Sequence, residues 1–234
     1  MTQKYYYAVS KRCLDVLISS AALIILSPLL VLIGLLIILD SSGPSIFSQK
    51  RISVRGSNTS DPCTTETYEF TCHKFRTMVK DADPSRHRAF VTAHINNDHE
   101  AMRALGGADS SRGTHALTCK MTSDPRITRV GRILRKYSLD ELPQFWNVLR
   151  GDMTLVGPRP AIPYEIDLYN DWHRRRLVVK PGLTGLWQVR KRGEASFDEM
   201  VQLDIWYIEH QSLWLDLKII LQTALVVLFG KGGA

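Results

Sequence analysis

The sequence predicts a mainly α-helical protein with a few short β-strands. Residues 16–39 form one uninterrupted apolar run, which is long enough for a membrane helix. Apolar side chains recur with helical spacing in much of the chain after residue 138, whereas β-branched and aromatic residues are concentrated in residues 45–75. We therefore expect helices in both end regions and a few short strands between them.

Size and charge restrict the class of protein. The 234 residues suffice for one domain, or for one domain with an attachment element. A net charge of +7 predicts anionic partners, which are nucleotides, nucleic acid or anionic lipid. The four cysteines show no paired C-x-x-C spacing, so we expect neither a zinc site nor a disulfide framework, and a reducing cytoplasmic setting. They are Cys13, Cys63, Cys72 and Cys119.

The apolar run contains Ser27 and Pro28 near its middle. Pro28 removes a backbone hydrogen bond, so we expect a sharp bend there, with Ser27 available to satisfy the freed carbonyl group. The run is too long for a cleavable signal, and Asp40 follows it instead of small residues. Because basic residues flank both ends, the positive-inside rule gives no orientation. One transmembrane helix and one re-entrant helix that returns to the same face both remain open.

Lys11, Arg12 and Asp15 are the charged residues just before the apolar run. Asp15 lies one turn after Lys11 and Arg12, which predicts an ion pair along the helix at the membrane boundary. The alternative is that the two cations meet a lipid phosphate.

The middle of the chain is predicted in four parts. Residues 41–44 form a turn, and residues 45–75 form a few short strands around a polar loop. Residues 86–105 form a surface helix, and residues 106–114 a flexible loop. Four histidines in this region lack the spacing of a metal site. They are His87, His94, His99 and His115.

The segment KFRTM follows the predicted strands and contains Lys74, Arg76 and Thr77. Two cations with a threonine can line a phosphate site, provided that Phe75 and Met78 anchor the segment in the core. The alternative is a basic edge in solvent.

Residues 123–160 contain two adjacent carboxylates, Asp140 and Glu141, between two groups of cations. Arginines bind phosphoryl oxygens through paired hydrogen bonds, and carboxylates can hold a divalent metal or attack phosphorus. We therefore predict phosphate chemistry in this stretch, against the alternative that both carboxylates only cap a helix. The cations are Arg126, Arg129, Arg132, Arg135, Lys136 and, in a Pro-Arg-Pro turn, Arg159.

The local pattern predicts a helix that begins near these carboxylates. Ser138 and Glu141 match a capping box, and Pro143 fits the first turn of a helix. Gly151 is a suitable stop. The carboxylates would then lie at the positive end of the helix dipole, where phosphates also bind.

The last third is predicted to be largely helical. We expect a helix over residues 162–179, a turn-rich loop over 180–185, a short extended piece over 186–189 and a helix over 194–210. Residues 214–229 are apolar with a polar minority, which favours a helix in the membrane interface over a buried core helix.

Seven motifs in order resemble the monotopic bacterial sugar transferases, which are polyprenyl-phosphate phosphoglycosyl transferases. The resemblance covers residues 11–229, nearly the whole chain. The motifs are Lys11-Arg12 with Asp15, Ser27-Pro28, GPSIFSQKR, KFRTM, DPRITRVGR, LDELPQFWNVLRGDMTLVGPRP and KPGLTGLWQV. The sequence departs from the family pattern at Lys191, where glycine is usual, and in a longer polar loop between residues 56 and 67.

The resemblance implies an N-terminal re-entrant membrane helix, residues 1–44, broken at Ser27 and Pro28. A small cytoplasmic catalytic domain (45–212) and an interfacial amphipathic helix (213–234) would follow. The protein would be monotopic on the cytoplasmic face of the bacterial inner membrane. Larger family members carry an N-terminal transmembrane bundle, which we do not expect here. The residues assigned to the anchor are Lys11, Arg12, Asp15, Ser27 and Pro28.

The resemblance also implies a site and a reaction. Asp140 would be the nucleophile of a pair with Glu141, and both would hold Mg²⁺. The product of a UDP-sugar and undecaprenyl phosphate would be an undecaprenyl diphosphate sugar, formed with release of UMP through a covalent aspartyl phosphosugar. The candidate substrate residues are Lys74, Arg76, Arg126, Arg135, Arg159, Gln188 and Arg192.

Two other classes of function are weighed against this one. A membrane-tethered nucleic-acid-binding module would also explain the basic charge, but the cations surround carboxylates and no nucleic-acid motif is present, so we expect no nucleic-acid partner. A structural membrane scaffold is the other alternative. The sugar is not identified by the sequence, although a hexose such as glucose or galactose is favoured, and the oligomeric state stays open.

Overall fold

The computed structural model describes residues 2–55, 65–106, 124–190 and 195–228. Within these ranges the protein is mainly helical with four short strands, as the sequence predicts. The helices are α1 (Thr2–Ile25), α2 (Ser27–Asp40), α3 (Ser85–Ile95), α4 (His99–Ala104), α5 (Arg129–Lys136), α6 (Gln144–Arg150), α7 (Pro163–Ile166), α8 (Asp171–Arg174), α9 (Leu186–Arg190), α10 (Phe197–Glu209) and α11 (Leu213–Leu228). The strands are β1 (Ile46–Val54), β2 (Thr67–Phe75), β3 (Thr154–Val156) and β4 (Gly182–Thr184).

The predicted bend in the apolar run is confirmed. Helices α1 and α2 meet at Leu26 and are bent by 61°. Pro28 has no N–H to donate to the carbonyl of Ile24, and the hydroxyl of Ser27 donates to that oxygen instead, at 2.8 Å. No single helix in the described ranges has the length and apolar character needed to cross a bilayer, whereas this bent pair taken together does.

Helix α1 is docked on the rest of the protein by the charged residues before the apolar run. Arg12 donates to the carbonyl oxygens of Val148 and Leu149 in the last turn of α6, at 2.7 Å each. Asp15 is 4% exposed and accepts from the Thr154 hydroxyl and the Leu155 N–H, at 2.8 and 2.9 Å.

Lys11 forms an ion pair with Asp216 of α11 at 2.8 Å and donates to the Val156 carbonyl. In place of the expected pairing within one helix, Lys11, Arg12 and Asp15 therefore bond to distant parts of the chain. Their side chains act in docking and are not directed to a lipid phosphate.

The predicted strands form an antiparallel hairpin of β1 and β2, with Arg51 opposite Phe70 and Phe47 opposite Lys74. A second, parallel pair joins β3 to β4. Gly157, just after β3, approaches β4 so closely that a Cβ on it would lie 2.7 Å from the Lys180 carbonyl oxygen. The turn at residues 158–160 therefore packs directly against the loop that precedes α9.

Apolar residues of the described ranges form four buried clusters. The smallest, around Phe90 and Met102, joins α3 to α4, and the other three join more distant elements. One unites the hairpin with α6, β3, α9, α10 and α11, around Val148, Val156 and Tyr207. A second places α10 against α3 and α7. The third packs Ile33 and Ile37 of α2 on Phe75 and Leu134, and it also holds Leu139 and Leu142 on either side of the two adjacent carboxylates.

Three sequence predictions differ from the structure. Residues 162–179 form two short α-helices and a 3₁₀ helix, because Pro163 and the Asn170 cap each begin a new segment. Residues 186–189 belong to helix α9, and the extended piece lies before them, in β4. The surface helix predicted for residues 86–105 is two helices, α3 and α4, which bury Phe90, Val91 and Met102.

The side of helix α11 that packs on the protein includes a fully buried carboxylate, Asp216, next to Ile219. Its outward side is apolar, and Trp214 and Leu228 are 78% and 75% exposed. It is therefore not a buried core helix. Together with the exposed side chains of α1 and α2, it leaves a large apolar surface open.

Candidate active site

The two adjacent carboxylates, Asp140 and Glu141, lie in a 3₁₀ helix, Leu139–Glu141, just before α6. Ser138 precedes them with φ 54°, in the left-handed region that non-glycine residues rarely adopt. Its side chain makes no capping bond, so the predicted capping box is wrong, and α6 begins only at Gln144. A strained residue at this position is typical of functional sites, where the surrounding packing maintains it. Helix α6 does end at Gly151, as predicted.

Lys74 connects the carboxylate pair to the hairpin. Its Nζ donates to Oε1 of Glu141 at 2.8 Å, from the end of β2. Both side chains are 29% exposed, so the ion pair is partly open to solvent. The structure therefore brings together two residues that lie far apart in the sequence, as the phosphate-site prediction requires.

Arg135 is the second cation near the pair. Its Nε donates to the Thr77 hydroxyl at 2.9 Å. Burial lowers the pKa of Arg135, and the nearby carboxylate of Asp140 acts in the opposite direction. Gly131 allows this placement, because a Cβ there would clash with the Thr77 carbonyl oxygen. Two motifs, KFRTM and DPRITRVGR, thus form one wall of the site.

Arg126 and Arg76 have other partners. Arg126 forms an ion pair with Asp124 at 2.6 Å and also donates to the Asp83 carbonyl. Its positive charge is therefore already paired with a carboxylate of the chain. Arg76 is 6% exposed and donates to the carbonyl groups of residues 41–43, after the end of α2. The expected role of Arg76 at a phosphate is therefore corrected: it fixes the chain that follows α2.

The Pro-Arg-Pro turn at residues 158–160 carries Arg159, which is half-buried between two buried prolines. Gln188 lies beside this turn, because a Cβ on Gly185 would be 2.5 Å from the Gly157 carbonyl oxygen and 3.1 Å from Oε1 of Gln188. That buried oxygen has no hydrogen-bond partner among the residues that the structure describes. Arg192, the remaining candidate, lies outside the described residues.

Two residues near the site were not identified from the sequence. Arg51 of β1 is 5% exposed and donates to the Pro160 carbonyl at 2.8 Å. His87 of α3 hydrogen-bonds with Tyr164 at 3.3 Å, and burial together with the positive charge of Arg159 lowers its pKa to about 4. The strand alternation that places Arg51 on the side of Lys74 could have identified it, whereas no sequence signal distinguishes His87.

The carboxylates of the site suit a magnesium ion that a substrate also helps to bind. Mg²⁺ is commonly held by one or two carboxylates together with substrate phosphates, and Asp140 and Glu141 supply two adjacent carboxylates. Among the described residues, no group of three or more Asp, Glu, His or Cys side chains could hold a metal ion on its own. The residues therefore fit a metal shared with a phosphate-bearing substrate and do not fit a closed protein cage.

Comparison with known proteins identifies similar sequences. A family model described as bacterial sugar transferase matches residues 6–230. The chain is 40% identical over 230 residues to the galactosyl transferase CpsE of Streptococcus agalactiae serotype III, which covers 98% of this chain and 44% of that protein. It is 39% identical over 223 residues to the undecaprenyl-phosphate galactose phosphotransferase of Salmonella typhimurium, which covers 95% of this chain and 41% of that protein.

A third relative is closer in length. The exopolysaccharide production protein ExoY of Rhizobium meliloti is 38% identical over 224 residues, which are 95% of this chain and 87% of ExoY. This chain thus spans less than half the length of the first two relatives and most of the length of the third.

Proposed function

Because the chain belongs to the bacterial sugar transferase family, we propose that it transfers a sugar 1-phosphate from a UDP-sugar to undecaprenyl phosphate. The names of the relatives, which include an undecaprenyl-phosphate galactose phosphotransferase and an exopolysaccharide production protein, support a hexose as the sugar and a polysaccharide as the final product. The observation that carries the proposal is the carboxylate pair of Asp140 and Glu141, with Lys74 paired to Glu141 and Arg135 near Asp140.

The reaction proceeds in two displacements. A carboxylate oxygen of Asp140 attacks the phosphorus that bears the sugar, and the bond from that phosphorus to the oxygen of UMP breaks. UMP leaves with the bonding electrons, and the sugar phosphate stays on Asp140. An oxygen of undecaprenyl phosphate then attacks the same phosphorus and releases the carboxylate. Dividing one difficult transfer between two anions into two steps is the ordinary advantage of a covalent intermediate.

The residues of the chain supply position and charge for both steps. Lys74 holds Glu141 at the edge of the hairpin, and the positive charges of Arg135 and Arg159 would stabilise the phosphoryl oxygens. Asp140 is presented by the turn that Ser138, in its left-handed conformation, begins. Asp140 and Glu141 would hold Mg²⁺, which would offset the negative charge that develops on the phosphates.

The apolar surface supports a monotopic arrangement on the cytoplasmic face of the bacterial inner membrane. Residues 1–44 would form a re-entrant anchor, residues 45–212 the catalytic domain and residues 213–234 an interfacial helix. The bend of 61° at Leu26 and the exposed apolar side of α11 support this division. Because α2 packs beside Leu139 and Leu142, the carboxylates would lie at the membrane surface, where the phosphate of a polyprenyl lipid is found.

The nucleophile is tested with Asp140→Asn in purified protein in detergent. We expect loss of UMP release from the UDP-sugar and loss of the labelled enzyme–phosphosugar adduct, whereas Glu141→Gln slows both displacements. Asp167→Asn, at an exposed carboxylate, is the matched control and should leave both measurements unchanged. Full activity in Asp140→Asn would refute the assignment, and an obligatory complex of both substrates would refute the covalent route.

The topology is tested with single cysteines in a background without the four natural ones. Tyr5→Cys and Lys50→Cys place labels in the first turn of α1 and beyond the end of α2, at exposed positions. A re-entrant anchor predicts that an impermeant thiol reagent modifies both positions from the cytoplasmic face only. Modification from opposite faces would show that the pair crosses the membrane.

A further inference from the structure

Arg51 lies on the face of the hairpin that carries Lys74. In the antiparallel register, Arg51 is opposite Phe70, Gln49 is opposite Cys72 and Phe47 is opposite Lys74. Side chains directly opposite each other point to the same side of a sheet, and every second residue of a strand does so as well. One face therefore runs from Lys74, which holds Glu141, through Cys72 to Arg51.

The hydrogen bonds of Arg51 fix the Pro-Arg-Pro turn at residues 158–160. Its Nη1 donates to the Pro160 carbonyl at 2.8 Å, and its Nη2 donates to Oε1 of Gln49 at the same distance. The N–H of Ile52 donates to the Ala161 carbonyl at 3.0 Å. The turn that carries Arg159 is thus attached to β1 by a hydrogen bond from a charged guanidinium group and by a backbone hydrogen bond.

The charge of Arg51 has no direct carboxylate partner within the described ranges, although the negative charge of Glu165 acts to raise its pKa. The side chain is 5% exposed, its Nε has no hydrogen-bond partner, and within the described ranges no carboxylate lies at ion-pair distance from it. Glu165 is the nearby acid, but one of its oxygens already accepts from the Ile162 N–H and the Tyr169 hydroxyl. Burial lowers the pKa of Arg51, and the positive charge of Arg159 lowers it further.

A buried cation beside a second cation is costly unless an anion is present for part of the time. The structure bonds the guanidinium of Arg51 to the turn that carries Arg159, and the positive charge of Arg159 lowers the pKa of Arg51. Such an arrangement is expected where a phosphate binds between Arg51 and Arg159, because the anion offsets the repulsion of the two positive charges.

We propose that Arg51 is a positioning residue for phosphate binding: it holds the Pro-Arg-Pro turn so that Arg159 faces the phosphate of a substrate, and its buried charge strengthens that contact. This inference rests on the proposed function and adds a residue to the same site. The phosphate belongs either to the UDP-sugar or to undecaprenyl phosphate, and the two displacements distinguish these sources.

The test is a double-mutant cycle between Arg51→Met and Arg159→Ala, with kcat and KM measured for each substrate. A displaced turn is expected to lower kcat/KM by about 100-fold for each single variant. If Arg51 acts through Arg159, adding Arg51→Met to Arg159→Ala costs no more than about 3-fold. Independent, multiplying losses would overturn the proposal.

Two half-reactions identify the phosphate. The first is the exchange of labelled UMP into the UDP-sugar without lipid, and the second is the discharge of the labelled enzyme by undecaprenyl phosphate. A loss in exchange for Arg51→Met assigns the subsite to the UDP-sugar, and a loss in discharge alone assigns it to the lipid phosphate. Unchanged rates in both would overturn the proposal.

Controls separate positioning from folding and from the proposed function. Arg51→Lys keeps the charge and should recover at least about 10-fold of the lost kcat/KM, because a lysine can still donate to the Pro160 carbonyl. Lys50→Met, at the neighbouring exposed residue, should leave the kinetics unchanged. A lower melting temperature with normal kinetics in Arg51→Met would show a purely structural role. Wild-type protein without UMP exchange would refute the proposed function instead.

Discussion

Lys74 at the end of β2 donates to Oε1 of Glu141 at 2.8 Å, across 67 positions of the chain. This ion pair joins the hairpin to the carboxylate turn and leaves both groups 29% exposed, so that a ligand can reach them. This contact positions both residues for the proposed chemistry, since neither residue is positioned by its own segment alone.

Removal of this lysine should impair catalysis more than stability. Lys74→Met is expected to lower kcat/KM by about 100-fold, the usual effect of losing one group that stabilises charge in a transition state. Its melting temperature should change little, because a partly exposed ion pair contributes about 1 kcal/mol or less. Lys80→Met, at a 59% exposed lysine near the same segment, is the control and should behave as wild type in both measurements. A large loss of stability with normal kcat/KM would contradict the assignment.

The ion pair of Lys11 and Asp216 should stabilise the docking of α1 on α11. Asp216 is fully buried and also accepts from the hydroxyl groups of Tyr7 and Tyr207. Asp216→Ala leaves a buried cation without its partner, so we expect a loss of about 3–5 kcal/mol in the free energy of unfolding. The measurement is denaturant unfolding in detergent.

A second variant checks that the loss comes from the unpaired charge. Combining Lys11→Met with Asp216→Leu removes both charges and should restore much of the stability. Glu209→Ala, which breaks the exposed pair with Arg175, should cost about 1 kcal/mol or less. Equal losses for the buried and the exposed pair would contradict the docking role.

Two glycines should respond in opposite ways to the same substitution. Gly131→Ala places a methyl group against the Thr77 carbonyl oxygen, so α5 must shift and the bond from Arg135 to Thr77 must lengthen. We expect reduced activity together with a loss of about 1–3 kcal/mol in stability.

The matched substitution is Gly34→Ala in the middle of α2. A Cβ there would lie 3.6 Å from the Ser45 hydroxyl oxygen, which is an ordinary contact distance. Alanine is a better helix former than glycine by about 1 kcal/mol, so this variant should be as stable as wild type or more stable. Thermal unfolding and UMP release measured on both variants test the comparison.

Stability should fall as the pH is lowered from about 6.5 to 4, in part because of His94. Burial lowers the pKa of His94 to about 4, with a further contribution from the positive charge of Arg159, while a bond to the Ala195 backbone opposes the shift. Between these values the unfolded chain binds a proton that the folded protein excludes, so the free energy of unfolding decreases by about 1.4 kcal/mol per pH unit for this group.

Urea unfolding at several pH values measures this slope. His94→Gln should flatten it, whereas His210→Gln, at an exposed histidine of the same protein, should leave it unchanged. Identical slopes in wild type and His94→Gln would show that His94 does not control the acid sensitivity.

Structural features that depend on residues within one short segment could be predicted from the sequence. The bend at Leu26 follows from the missing N–H of Pro28, and the end of α6 follows from Gly151, which has a φ of 89°. The strand character of residues 45–75 follows from β-branched and aromatic residues. The sequence also identified Asp140 and Glu141 as adjacent acids among cations, because those residues lie close together along the chain.

Long-range partners could not be predicted in this way. The sequence permitted a phosphate role for Arg76, but the structure directs this guanidinium to the carbonyl groups after α2. It also suggested a local ion pair for Asp15, whose partners are instead Thr154 and Leu155. Arg51 was not predicted to be a site residue, because its role depends on the Pro160 carbonyl, 109 positions away.

The sequence by itself therefore determined the class of fold, the position of the helix break and the acidic pair, since each depends on backbone preferences and side chains within a few residues. Only the tertiary structure decided which cations remain near that pair. A charged side chain is directed by the strongest partner that folding brings within reach, and here those partners include groups from other segments: Glu141 for Lys74, Thr77 for Arg135 and the Asp83 carbonyl for Arg126.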